Sequence, residues 1–193
     1  PGVRIDRMVE TLELVRQHYS GDQIEVLGQH VSASGFSGAP TMDRVPPIMI
    51  GGGSKRVLGI AGREADIVSI NFNNSAGKIG PEGVGSGTVD GTSQKIEWIR
   101  AGAGERFNEL EIEIGAYFTV VTDHRDAVQG EFAKLFGLDV SDIANHPHCL
   151  IGPVEELVEK IQQRREELGI NYVTFGGAVI DDVAPIIDAL SGT

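Results

Sequence analysis

The sequence predicts an α/β protein built on a parallel sheet, and three observations carry that prediction. Short apolar runs, "IMI" at Ile48–Ile50 and "IVSI" at Ile67–Ile70, read as strands buried on both faces. Stretches with helical periodicity follow the strands. Strand and helix then alternate four times, as βα repetition in a parallel sheet requires. The 193 residues, 40% apolar and 23% charged, suit an ordinary globular chain of one domain or two small ones.

The elements follow in order. Arg4–Tyr19 reads as a helix, with Ile5, Met8, Val9, Leu12 and Val15 on one face and charges between them. "IEVLGQHVSASGFSGAPTMDRVPP" reads as a short strand and then a surface excursion rich in Ser, Gly and Pro. Ile48–Ile50 is the first strand of the repeat. Ser54 is placed to cap a helix to about Glu64, with Val57, Leu58, Ala61 and Ala65 inward. Ile67–Asn71 is the second strand. A long loop leads to a helix from about Ser93 to Phe107, and Glu111–Val121 alternates as the third strand. Asp123 is placed to cap a helix with Val128, Phe132 and Leu135 inward, and "GLDVSDIANHPHCLIG" reads as an irregular insert. Pro153 suits a first helical turn, and Gly169 ends that helix. Tyr172–Phe175 is the fourth strand, and Asp181 or Asp182 opens the last helix. Four such units are a free-standing sheet or about half of a (β/α)8 barrel, which needs ~250 residues. The leading helix has no strand before it, as if one had been cut away, and "PGVRIDR" does not read as a natural start.

Charge and cysteine narrow the partners. With 28 acidic against 16 basic residues, a net −12, the chain is a poor binder of nucleic acid or acidic membranes. A small phosphorylated ligand needs only one local positive spot. Cys149 stands alone, so no disulfide framework or multi-cysteine metal site is expected, and a reducing cytoplasm is the expected location. No apolar run approaches the ~20 residues of a membrane span.

Four stretches are candidate sites. Gly51-Gly52-Gly53-Ser54 links a strand to a helix: glycines let backbone N–H groups approach an oxyanion, the helix N-terminus adds partial positive charge, and Lys55 and Arg56 follow. The same pattern also serves as a plain βα turn. It is neither a Walker loop nor a full dinucleotide fingerprint. Phe72–Thr92 leaves the C-terminal end of a strand as a glycine-rich lid or a disordered loop, with Asn71 and Asn73 at its root. Gly176-Gly177 follows the last strand, but the acidic pair downstream makes it the poorer anion site. "NHPHC" brings His146, His148 and Cys149 together without the further ligands that a metal needs, so a packed or pocket-lining loop is expected there.

Three segments, in this order, resemble the second half of the bacterial-luciferase-like family: "RIDRMVETLELVRQHYSGDQIEVLGQHV", "PPIMIGGGSKRVLGIAGREADIVSIN" and "LIGPVEELVEKIQQRREELGINYVTF". Within that family they are most similar to the deazaflavin F420-dependent oxidoreductases. The resemblance implies that residues 1–193 are the C-terminal portion of a single luciferase-like TIM barrel, supplying strands five to eight. It implies coenzyme F420, or FMN in the monooxygenases of the superfamily, bound at the strands' C-terminal ends. The glycine turn would lie against the cofactor's phosphate tail, which carries to Gly51, Gly52, Gly53 and Ser54, with Asn71 as a ligand contact. A homodimer is implied as well. The family's first four strands, which normally supply much of the ring pocket and the acid/base residues, have no counterpart here, and "SASGFSGAPTMDRVPP" departs from the family's approach to the strand. No catalytic residue follows from the sequence. A non-catalytic half-barrel, a remnant or partner subunit, is the reading from a different class.

Overall fold

The computed structural model describes residues 2–40, 44–74 and 80–192. The chain forms two compact units, Pro1–Pro47 and Ile48–Thr193.

In the first unit a helix, α1 (Gly2–Ser20), precedes two strands, β1 (Gln23–Leu27) and β2 (Ser32–Ser37). The Ser/Gly-rich stretch expected as a surface excursion is partly strand: β2 pairs antiparallel with β1. One carboxylate explains the turn. Glu10 of α1 accepts the backbone N–H groups of Gln29 (3.0 Å), His30 (2.7 Å) and Val31 (2.7 Å), which pair with no strand partner at a tight reversal. No side chain of α1 is fully buried.

The second unit runs β3 (Met49–Gly52), α2 (Lys55–Glu64), β4 (Ile67–Ile70), α3 (Pro81–Gly85), α4 (Val89–Ala103), β5 (Glu111–Ala116), β6 (Phe118–Val121), α5 (Arg125–Phe136), α6 (Val140–Asn145), β7 (Cys149–Gly152), α7 (Val154–Leu168), β8 (Tyr172–Phe175) and α8 (Ile180–Leu190). A six-residue 3-10 helix (Gly104–Glu109) follows α4, and a one-turn one (Gly177–Val179) precedes α8. Strands β3-β4-β5-β8 form a parallel sheet, in that order, as the apolar runs predict. Ile50, Val68, Ile70, Ile112 and Ile114 are buried, and α2 and α4 pack on β4. These two helices approach closely because a Cβ on Gly102 would strike the backbone of Gly59.

Several predicted elements are laid out differently. The third strand, expected over Glu111–Val121, breaks at Tyr117, whose N–H turns back to the Gly115 carbonyl (3.0 Å). Beyond the break, β6 leaves the main sheet and pairs in parallel with β7. The "irregular insert" supplies both α6 and β7, because Ile143, Cys149 and Ile151 pack into an apolar cluster with Ala133. Leu135 is exposed instead of inward, and α5 starts after His124, with no side-chain cap from Asp123. Helix α4 starts at Val89, four residues before the expected Ser93, because the Thr88 hydroxyl caps it through Gly91 N–H. Pro153 sits at the cap of α7 and not in its first turn.

Candidate functional site

Strand register sorts the sheet into two faces. Gly51, Ser69, Glu113 and Tyr172 are partners in one row across β3, β4, β5 and β8. Strand alternation puts this row on the face opposite Ile50, Ile70 and Ile114. Asn71, two residues beyond Ser69, and Gly115, paired with Thr174, come one pleat nearer the C-terminal ends. This second face is polar, and Met49 and Tyr172 leave it partly exposed.

Its side chains are mutually bonded. Asn71 Nδ2 donates to Ser69 Oγ (3.2 Å), and the Tyr117 hydroxyl donates to Asn71 Oδ1. Thr174 Oγ1 donates to Glu113 Oε1 (2.6 Å), and Glu113 is only 4% exposed. The Tyr117 ring folds back over Gly115, where a Cβ would lie 2.9 Å from the ring Cζ. Burial, and then the Glu113 charge, push the Tyr117 phenol above its usual pKa, so it stays a donor.

The sequence-predicted turn lies at the edge of this face. Gly51 and Gly52 close β3, Ser54 stands at the N-cap of α2 without making a side-chain cap bond, and Asn71 N–H donates to the Gly52 carbonyl (2.9 Å). The structure thus brings the glycine turn and Asn71 together. The glycines differ in what they need. A Cβ on Gly53 would run into the backbone carbonyls of Asn71 and Phe72, and one on Gly52 into the Val57 side chain. A Cβ on Gly51 would project onto the polar face, 2.9 Å from Asn71 Nδ2. Gly53 is therefore a packing requirement against backbone, whereas the neighbour at Gly51 is the flexible end of the Asn71 side chain.

Behind Asn71, Lys95 of α4 is buried and donates from Nζ to the carbonyls of Asn71 (2.8 Å) and Ser86 (2.7 Å). Burial pulls its pKa down to about 8. This ammonium ties the exit of β4 to the corner between α3 and α4. Ser86 Oγ also accepts the Asn73 N–H (2.8 Å), which accounts for Asn73 at the root of the segment. Phe72–Thr92, expected as a lid or loop, is largely helical from Pro81 onward, and residues 75–79 of it lie outside the described residues.

His146 and His148 are buried, as a packed loop would have them. His148 Nδ1 bonds the Gly115 carbonyl (2.8 Å), so Nδ1 carries the proton and Nε2 is an acceptor with no partner among the described residues. His146 Nδ1 accepts the His148 backbone N–H (3.2 Å), so its Nε2 donates to Val84 O (2.9 Å). Burial pulls both rings down, His148 to about 3, and both are neutral at physiological pH. The His148 ring stacks on Tyr117 with centroids 5.1 Å apart. Among the described residues no three His, Cys, Asp or Glu side chains gather as a metal would need, and no helix is long and apolar enough to cross a membrane. Gly176 and Gly177 are exposed and followed by Asp181 and Asp182 in the first turn of α8. A groove of about 770 Å³ between α7 and α8 lies at β8, across the sheet from the glycine turn, and is lined by Ile161, Phe175, Ile186 and Leu190 together with Arg165 and Glu166.

Sequence reasoning found the turn and Asn71 but missed Ser69, Glu113, Tyr117 and Thr174. One signal was available: Glu111 and Glu113 alternate with isoleucines in a strand of a sheet expected to be apolar on both faces.

Residues 2–139 match the luciferase-like monooxygenase family. Among solved structures, the fold is similar to a coenzyme F420-dependent tetrahydromethanopterin reductase from Methanopyrus kandleri (15% identity, TM-score 0.62, 93% of this chain and 60% of that one). It is also similar to an F420-dependent secondary alcohol dehydrogenase (17%, 0.63, 96% and 62%) and to a riboflavin lyase solved with modified FMN (14%, 0.60, 95% and 55%). At such identities the likeness concerns the fold. The chain spans about three fifths of the length of these structures. No curated protein matches it in sequence.

Proposed function

Because the chain belongs to the luciferase-like monooxygenase family, we propose that it is the C-terminal portion of a luciferase-like (β/α)8 barrel that works as an F420-dependent oxidoreductase on a small organic substrate. The observation that carries this reading is the meeting of Gly51–Ser54 with Asn71 at the C-terminal ends of β3 and β4, the end at which barrels bind ligands. The residues fit a phosphate-tailed cofactor. Gly51 withholds a Cβ from the polar face, the Ser54 hydroxyl makes no cap bond, and the first backbone N–H groups of α2 have no acceptor within the helix.

Gly51, Gly52, Gly53 and Ser54 hold the phosphate tail, and Asn71 contacts the ligand beside them. When bound, the deazaflavin supplies hydride transfer at its C5. The chain's own part is to seat the tail at the α2 N-terminus, to orient the ligand over the polar face and to exclude water. No acid or base that acts on the substrate is assigned among this chain's residues. A homodimer in the cytoplasm completes the reading, on the strength of the family resemblance and the single buried thiol, Cys149.

A flavin-dependent monooxygenase is the second reading, favoured by the family's description and by the FMN-bearing neighbour. Ultrafiltration with F420 or FMN, read by absorbance, separates the two. Retention of F420 and passage of FMN is the expected result. Retention of FMN alone, with oxygen consumed when the reduced flavin is added, replaces the first reading by the second. A monomer that retains neither leaves a non-catalytic half-barrel.

A further inference from the structure

On the β5–β8 side of the polar face two of the hydroxyl donors, those of Thr174 and Tyr117, are already used, and the Tyr172 hydroxyl lies beside them at the exposed edge. Thr174 gives its only side-chain proton to Glu113, and Tyr117 gives its only one to Asn71. What remains toward a ligand is mainly acceptor capacity: the Glu113 carboxylate and the Tyr117 oxygen lone pairs. Both residues lie on or just beyond β5, and the Glu113 charge reaches Tyr117 strongly enough to alter its acidity. A carboxylate in a central strand, 4% exposed and held by one hydroxyl, is costly to keep unless something else pairs with it. At the other end of the face the chemistry is reversed, since the α2 N-terminus presents donors.

We propose that Glu113 and Tyr117 form the substrate-recognising end of this face, selective for a ligand group that donates hydrogen bonds, a hydroxyl or a protonated amine, and closed to carboxylates and phosphates. The inference rests on the reading above, in which the polar face carries the ligand, and adds the substrate class. A donor group pairs with Glu113 and meets the Tyr117 oxygen. An anionic group meets two acceptors and a like charge, against which the single neutral Tyr172 hydroxyl offsets little of its lost hydration. Tyr117 is also the cover of this end. Its ring lies over Gly115 and stacks on the buried His148, and the residue is 51% exposed, so a ligand meets it from its solvent-facing edge. Asn71 then acts as a positioning residue, fixing which way the phenol's proton points.

Three size-matched probes test the selectivity: cyclohexylamine, cyclohexanol and cyclohexanecarboxylate, each titrated into the isotope-labelled full chain while the amide resonances of Asn71, Gly115 and Thr174 are followed. The amine and the alcohol are expected to shift these signals and the carboxylate to leave them in place. Glu113→Gln should weaken amine binding at least about tenfold, or ~1.4 kcal/mol, and narrow the gap to the carboxylate. Equal shifts from all three probes on the wild-type chain overturn the proposal, as does an unchanged preference in a folded Glu113→Gln chain. If that variant does not fold, Thr174→Val serves instead: it frees the carboxylate, so the amine preference should persist or grow, and its loss overturns the proposal. F420 retention is measured in parallel. Selectivity without F420 binding removes only the cofactor assignment, whereas F420 binding without selectivity removes only this inference.

Discussion

The hydroxyl of Tyr117 donates to the side-chain carbonyl of Asn71, a bond between residues 46 positions apart that joins the end of β5 to the exit of β4. Removing the hydroxyl with Tyr117→Phe should cost about 1 kcal/mol in urea unfolding, the usual net worth of one such bond. In an Asn71→Ala background the same change should cost close to nothing. A double-mutant cycle with a coupling energy near zero would mean that the two side chains do not act together.

The glycine turn contains two kinds of glycine. Gly53→Ala drives a Cβ into the backbone of Asn71 and Phe72 and should destabilise the chain by about 2 kcal/mol or more. Gly51→Ala meets only the end of the Asn71 side chain and should cost less than about 1 kcal/mol while lowering F420 retention. Chemical denaturation alongside a binding measurement distinguishes them. Equal stability losses at both positions would return Gly51 to a purely structural role.

Stability should fall in mild acid through His148. Its folded pKa, about 3, lies below the unfolded value of about 6.5. Between those values the unfolded chain binds the extra proton, so unfolding becomes easier as pH drops from about 6.5 toward 3. From pH 6.5 to 4.5 this amounts to roughly 2–3 kcal/mol from His148, and His146, also shifted down, adds in the same direction. His148→Phe keeps a ring against Tyr117 and should flatten the dependence relative to wild type. Parallel curves of urea midpoint against pH for the two chains would contradict a buried neutral His148.

Arg164 of α7 grips the turn before β7 by donating to the carbonyls of His146 (2.8 Å), Pro147 (2.9 Å) and Cys149 (2.8 Å). Arg164→Met takes this donor from the buried Pro147 and Cys149 carbonyls and leaves the His146 carbonyl only the Cys149 N–H (2.9 Å), and should cost about 3 kcal/mol or more. Cys149 reports the loosening. Its thiol is buried, and burial pushes its pKa up to about 12, so a thiol reagent should label the native chain slowly. Labelling at least tenfold faster in Arg164→Met is expected. An unchanged rate would show that the turn holds without Arg164.

The elements legible in the sequence were those specified by local chemistry. Helix α7 shows its apolar stripe and ends at Gly169 in a left-handed conformation, where glycine is favoured. Strands β3, β4 and β8 are short apolar runs between turn residues. The break at Tyr117 was not legible. "EIEIGAYFTVV" alternates without interruption, and only the pairing of β6 with β7, a strand 31 residues further on, decides that the chain turns there. The "NHPHCLIG" stretch gave no helical or alternating signal because β7 is buried along its whole length.

For the site, the sequence by itself determined that a glycine turn and Asn71 stand at strand ends in a chain similar to luciferase-like proteins. It also determined that any bound anion must be small and local, because the net charge is −12. The tertiary structure alone decided that Glu113, 61 residues from Thr174, is held by it on the face that carries Asn71, and that Gly51, not Gly53, opens onto that face. The physical reason is register. Which side chains share a row is set by how separate strands align, and that alignment is a sum of packing over the whole sheet that no local window contains.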